Sequence, residues 1–143
     1  MRVGSPIFEL ELNMLKNLPD ILWQGAEGKL VDPEYKGKYG FEVLVQSEWV
    51  DDHPLLVEFP EKYREQIKFR YGTQFPDGLW IMPQNAGPIF GAIVACGDSL
   101  EDCFAEVEEI SAELKGYKVQ TFSGAVPELQ KNLDKLEEWG ISF

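Results

Sequence analysis

Three features of the sequence predict an α+β protein. Phe41, Val43 and Val45 alternate with Glu42, Leu44 and Gln46, the period of a strand with one face more buried than the other. Ile89 to Cys96 is a nearly continuous apolar run, as a strand covered on both faces requires. Leu100, Cys103, Phe104, Val107, Ile110 and Leu114 follow it at helical spacing. Helical and extended stretches alternate irregularly along the chain, which places it in the α+β class.

Taken in order, Ser5 to about Ala26 reads as helix. Ser5 is a suitable N-cap and Pro6 suits the first helical position, where a missing N–H costs nothing. Leu10, Met14, Leu15 and Leu18 follow at helical spacing. Pro19 should kink or split the helix, Ile21, Leu22 and Trp23 resume its apolar side, and Gly25 and Gly28 stop it. After the strand at 41–45, Leu55 to Phe59 and Gln66 to Tyr71 are further strand candidates. The turn clusters Asp51-Asp52-His53-Pro54, Phe75-Pro76-Asp77-Gly78 and Asn85-Ala86-Gly87-Pro88 separate them. The Ile89–Cys96 strand is expected at the centre of a sheet. Ser99 with Asp102 three residues on forms a capping box, with Asp in place of the usual Glu, and Gly116 is expected to close that helix. Tyr117 to Phe122 reads as a short strand. Pro127 opens a last helix with Leu129, Leu133, Leu136 and Trp139 inward and Gly140 as terminator.

At 143 residues and 44% hydrophobic composition, the chain can bury a core, so it is not a disordered linker. Its net charge of −12 argues against contacts to nucleic-acid phosphates or an anionic membrane surface, both of which need lysine and arginine. No window approaches the roughly 18 apolar residues of a spanning helix. The opening Met1 to Pro6 lacks the apolar core of a signal peptide. Two cysteines, Cys96 and Cys103, make neither a disulfide framework nor a zinc site. A cytoplasmic protein is expected.

Few residues suggest chemistry. His53, the one histidine, lies beside Asp51 and Asp52 in a turn before a proline, which favours a hydrated turn over a metal site needing three or four ligands. Cys96 and Cys103 occupy core positions at a strand end and on an apolar helix face. The acidic run Glu101 to Glu113 fills the outward side of its helix and reads as a solvated face or a site for a basic partner. Tyr63, Arg64, Lys68, Arg70 and Tyr71 form a small basic and aromatic group, better suited to pairing with surface carboxylates than to holding an anion. No GxGxxG or P-loop spacing occurs, and no Ser–His–Asp arrangement is available. No catalytic residue and no metal ligand is assigned.

The most specific local signal is Arg2-Val3-Gly4-Ser5-Pro6 followed by a leucine-rich helix. It resembles the R-x-G-D-P-E signature of phosphoribosylamine–glycine ligase, an ATP-grasp enzyme of purine biosynthesis. The order of elements is also similar. Ala26-Glu27-Gly28-Lys29-Leu30 resembles the family's turn after that helix. Tyr39 to Gln46 resembles the first strand of its β-rich C-terminal domain, and Ala92 to Glu101 resembles its closing strand–turn–helix unit. The likeness spans about Arg2 to Leu114. It implies that residues 1–36 end an ATP-grasp domain and 37–143 form the ligase's C-terminal domain with a terminal helix. Arg2, Gly4, Ser5 and Pro6 are then the implied substrate or phosphate contacts, Arg2 by its charge. Ser5 stands where the family has Asp, and Ile7 where it has Glu. Those two changes leave room for another ATP-grasp relative, such as a carboxylase. The resemblance further implies that ATP and Mg²⁺ serve the full-length enzyme, with the metal ligands and nucleotide lobes outside this chain. Alone, the chain is expected to be inactive and to partner the rest of the ligase or a second copy of itself. The alternative is a free-standing acidic interaction or assembly module without catalysis.

Overall fold

Proline has no N–H to give a helix interior, and the leading helix breaks accordingly. In the computed structural model, which describes residues 7–83, 85–122 and 126–141, α1 runs Ile7–Met14 and α2 runs Leu18–Ala26. Pro19 occupies the first turn of α2, and Gly28 follows its end at φ 79°. Ser5 and Pro6, the expected cap, lie outside the described residues. The two short helices pack differently: α1 lies against the body, while α2 has no buried residue.

Eight strands make two antiparallel sheets. The first has the order β3 (Ile67–Phe69), β6 (Ile89–Gly97), β1 (Tyr39–Gln46), β8 (Gln120–Thr121). The second has the order β4 (Gly72–Phe75), β5 (Gly78–Ile81), β2 (Leu55–Glu58), β7 (Lys115–Gly116). The apolar run at 89–97 is an interior strand, paired with β1 from Tyr39↔Gly97 to Gln46↔Ile89 and with β3 from Ile67↔Ile93 to Phe69↔Gly91. Gly91 is required at that crossing, because a Cβ there would lie 2.6 Å from the Lys68 carbonyl oxygen. Ser47 caps a 3₁₀ turn at Glu48–Asp51, its hydroxyl accepting from the Trp49 N–H and donating to the Tyr117 carbonyl.

The core lies between the sheets. Val43, Val45, Ile67, Phe90 and Ile93 come from the first, and Leu55, Val57, Leu79 and Ile81 from the second. Helix α3 (Leu100–Glu113) closes it with Cys103, Val107 and Ile110, and Phe104 meets Phe41 edge-on at 4.5 Å. The Ser99 hydroxyl accepts from the Asp102 N–H at 3.1 Å, so the cap half of the expected box forms, and the Asp102 carboxylate accepts from that hydroxyl at 2.7 Å. On its other face, the first sheet carries α1. Leu10 and Met14 fill the space above Gly40, where any Cβ would collide with the Met14 sulfur.

Four expectations need correction. The helix after Ser99 ends at Leu114, whose backbone turns extended, and Gly116 lies in β7 instead of capping. Tyr117 to Phe122 is not one strand. Lys118 takes φ 54° and turns the chain between the two-residue strands β7 and β8. The strand candidate Gln66 to Tyr71 shortens to Ile67–Phe69 because Tyr71, at φ 58°, turns out of it. The last helix, α4 (Val126–Glu138), forms with Gly140 after it at φ 77°, but Trp139 is 73% exposed and faces outward. Among the described residues, no helix is long and apolar enough to cross a membrane.

Candidate functional site: the outer face of the leading helices

An amphipathic helix normally spends its apolar stripe on the core. α2 does not. Leu22 is 62% and Trp23 73% exposed, Leu30 just beyond is fully exposed, and Phe8 and Leu12 on α1 are partly open. Hydrogen bonds hold this elbow in place of burial. The Asn17 side chain donates to the Asp32 carbonyl and accepts from the Glu34 N–H, each at 2.9 Å. The Lys16 N–H donates to the Glu34 carbonyl and the Lys36 N–H to the Met14 carbonyl, both at 2.8 Å. The segment leading to β1 is thereby zipped along the elbow, and the apolar face of α2 stays turned to solvent.

Beneath α1 lies a polar cluster that periodicity did not reveal. Glu42 of β1 and Glu9 of α1 each have a buried carboxylate oxygen without a hydrogen-bond partner among the described residues. Arg70, just after β3, approaches Glu9 at 3.8 Å. Burial first, then the Glu9 charge, pushes the Glu42 carboxyl up to about 7 against the opposing pull of Arg70. Nothing in the local sequence signals this, since Glu42 occupies an ordinary polar position of an alternating strand. The cluster forms only because α1 crosses that face of the sheet.

The residues implied by resemblance, Arg2, Gly4, Ser5 and Pro6, lie outside the described residues. The other candidates are dispersed. His53 stacks on Trp49 at 3.9 Å between ring centroids and bonds to Asp52, while Asp51 accepts from the Gly87 N–H. Among the described residues, no three His, Cys, Asp or Glu side chains are placed to hold a metal ion. Burial raises the thiol pKa of both Cys96 and Cys103, the opposite of what a nucleophile needs. The basic and aromatic group divides. Tyr63 and Lys62 bond to Glu109 of α3, Arg64 sits over the Phe59 ring, Lys68 donates to the Glu65 carbonyl, and Arg70 faces Glu9. Of the expected group, Tyr63 and Arg70 thus meet carboxylates, while Arg64 and Lys68 meet a ring and a carbonyl. The α3 carboxylates at Glu101, Asp102, Glu108 and Glu113 are exposed, as expected for a solvated face.

A cleft of about 420 Å³ opens between β2, the β4–β5 hairpin and the turn at 61–63, lined in part by Glu58, Phe59, Glu61, Arg64 and Asp77. Its lining carries carboxylates and one arginine but no serine, cysteine or histidine. No protein-family model and no curated protein matches this chain. Functional reading therefore rests on the placement of its own residues, among which the open face of α1 and α2 is the most distinctive.

Proposed function

We propose that the chain is the C-terminal part of an ATP-dependent carboxylate–amine ligase resembling phosphoribosylamine–glycine ligase, working in the cytoplasm. In this reading the two-sheet body is scaffolding. The face of α1 and α2 docks on the lobes that bind ATP and Mg²⁺, and residues 1–6 join the substrate side of the assembled site. Arg2 is the member of that loop with the charge to meet a phosphate. The observation that supports this is α2 itself: an apolar helix, fixed by the Asn17 bonds, with Leu22 and Trp23 bare.

The test pairs the purified chain with the remaining domains of such a ligase. Light scattering should show a one-to-one complex that the double substitution Leu22→Glu, Trp23→Glu abolishes. Because both residues are exposed, the variant's stability should change by no more than about 0.5 kcal/mol. Calorimetry of the chain alone with Mg·ATP should show no binding. Tight Mg·ATP binding by the isolated chain, or a complex indifferent to the double substitution, would contradict the proposal. The alternative, an acidic assembly module without catalysis, would instead map its contact to the outward carboxylates of α3.

A further inference from the structure

The second sheet ends in an open edge. β4 pairs with β5 on one side and, among the described residues, with no strand on the other. All four of its residues, Gly72, Thr73, Gln74 and Phe75, are exposed. Its shortness, four residues, is the one protection it shows; edges are otherwise guarded by lysine, proline or a bulge within the strand. Here Tyr71 to Pro76 carries no charge at all, in a chain whose net charge is −12.

We propose that this edge pairs with the same edge of a second copy, joining two second sheets antiparallel about a twofold axis at Thr73. The backbone sets the register. The Tyr71 carbonyl accepts from the Met82 N–H, so residue 71 turns its polar groups toward β5. By alternation Thr73 and Phe75 do the same, and Gly72 and Gln74 direct theirs outward. Outward residues also meet if Gly72 faces Gly72 or Gln74 faces Gln74, but only the register that sets Gly72 of one copy against Gln74 of the other uses both outward residues of each strand, and it centres the axis on Thr73. Each copy then satisfies its exposed backbone groups with the other's, and Phe75 falls near Tyr71 of the second chain.

Charge favours the antiparallel choice. The neutral stretch ends in Asp77, so antiparallel pairing sets the two Asp77 carboxylates at opposite ends of the contact, while parallel pairing would bring these like charges together. Elsewhere two surfaces this acidic repel, and the edge is where the backbones can approach. A four-residue contact buries much less than a permanent dimer interface, so the association is weak and concentration-dependent. Screening should strengthen it, because salt suppresses repulsion between the acidic bodies more than it weakens backbone pairing.

Sedimentation equilibrium of the 143-residue chain, from low micromolar to submillimolar concentration, tests this. The average mass should climb from one chain toward two, and should climb further with added salt. Thr73→Lys places two ammonium groups opposite each other at the axis, and Gln74→Pro removes an outward N–H while staying compatible with an edge strand. Either change should hold the protein monomeric with its far-ultraviolet circular dichroism unchanged. Should Gln74→Pro disturb the fold, Thr73→Lys decides alone. The double substitution Leu22→Glu, Trp23→Glu should leave this association intact. A wild-type chain monomeric throughout would overturn the proposal. So would a dimer that survives Thr73→Lys, or one lost only when the α2 face is charged.

Discussion

Replacing Glu42 by glutamine should stabilise the protein at neutral and alkaline pH, an unusual result for removing a charge from a strand. Glu42 lies under α1, with one carboxylate oxygen buried and unpartnered among the described residues. Glu9 faces it from α1 and Arg70 from the end of β3, and its carboxyl is raised from 4.5 to about 7. The folded state thus holds a proton on Glu42 that the unfolded chain releases at lower pH. Stability from this group is fully present below about pH 4.5 and is lost as pH rises toward 7. A shift of that size corresponds to about 3 kcal/mol for a carboxyl shut off from water. Glu42 keeps substantial solvent contact, so screening leaves about 1–2 kcal/mol. Glutamine has a similar shape and does not titrate. Urea unfolding followed by tryptophan fluorescence should give E42Q an advantage of about 1–2 kcal/mol at pH 8 that disappears near pH 4.5. A difference between the two proteins that does not change with pH, or a less stable E42Q at pH 8, would refute the argument.

Two further perturbations address the framework. Ser99→Ala removes the hydroxyl that caps α3 and should cost about 1 kcal/mol in thermal or urea unfolding. Gly91→Ala forces a methyl to 2.6 Å from the Lys68 carbonyl, so β3 must pull away from β6, and a loss well above the usual 1 kcal/mol of a point change should appear in the same assay.

Much of the fold was legible because one physical pattern dominated each readable element. β6 announces itself by an eight-residue run, apolar but for Gly91, between a Gly-Pro and a Gly-Asp, α3 by its stripe and cap, and β1 by alternation. The β4–β5 hairpin shows in the sequence only as the turn cluster Phe75-Pro76-Asp77-Gly78. Gly-Thr-Gln-Phe has no buried face to impose alternation, and it becomes a strand only because β5 is there to pair with it. Trp139 has the spacing of an inward residue yet lies open, because helical spacing reports which residues share a side, not whether another element covers that side. The same limit applies at α2, where Ile21, Leu22 and Trp23 form the predicted apolar stripe yet Leu22 and Trp23 stay mostly exposed. The Glu9–Glu42–Arg70 cluster draws on three elements distant in sequence, so no local window could contain it.

The order in which the chain visits its sheets has a mechanical consequence. β1, β3, β6 and β8 belong to one sheet and β2, β4, β5 and β7 to the other, so the backbone crosses between them again and again. Neither sheet can be assembled from an uninterrupted length of polypeptide. Nicking the interior would therefore free no stable half, and denaturant should dissolve both layers in one concerted transition.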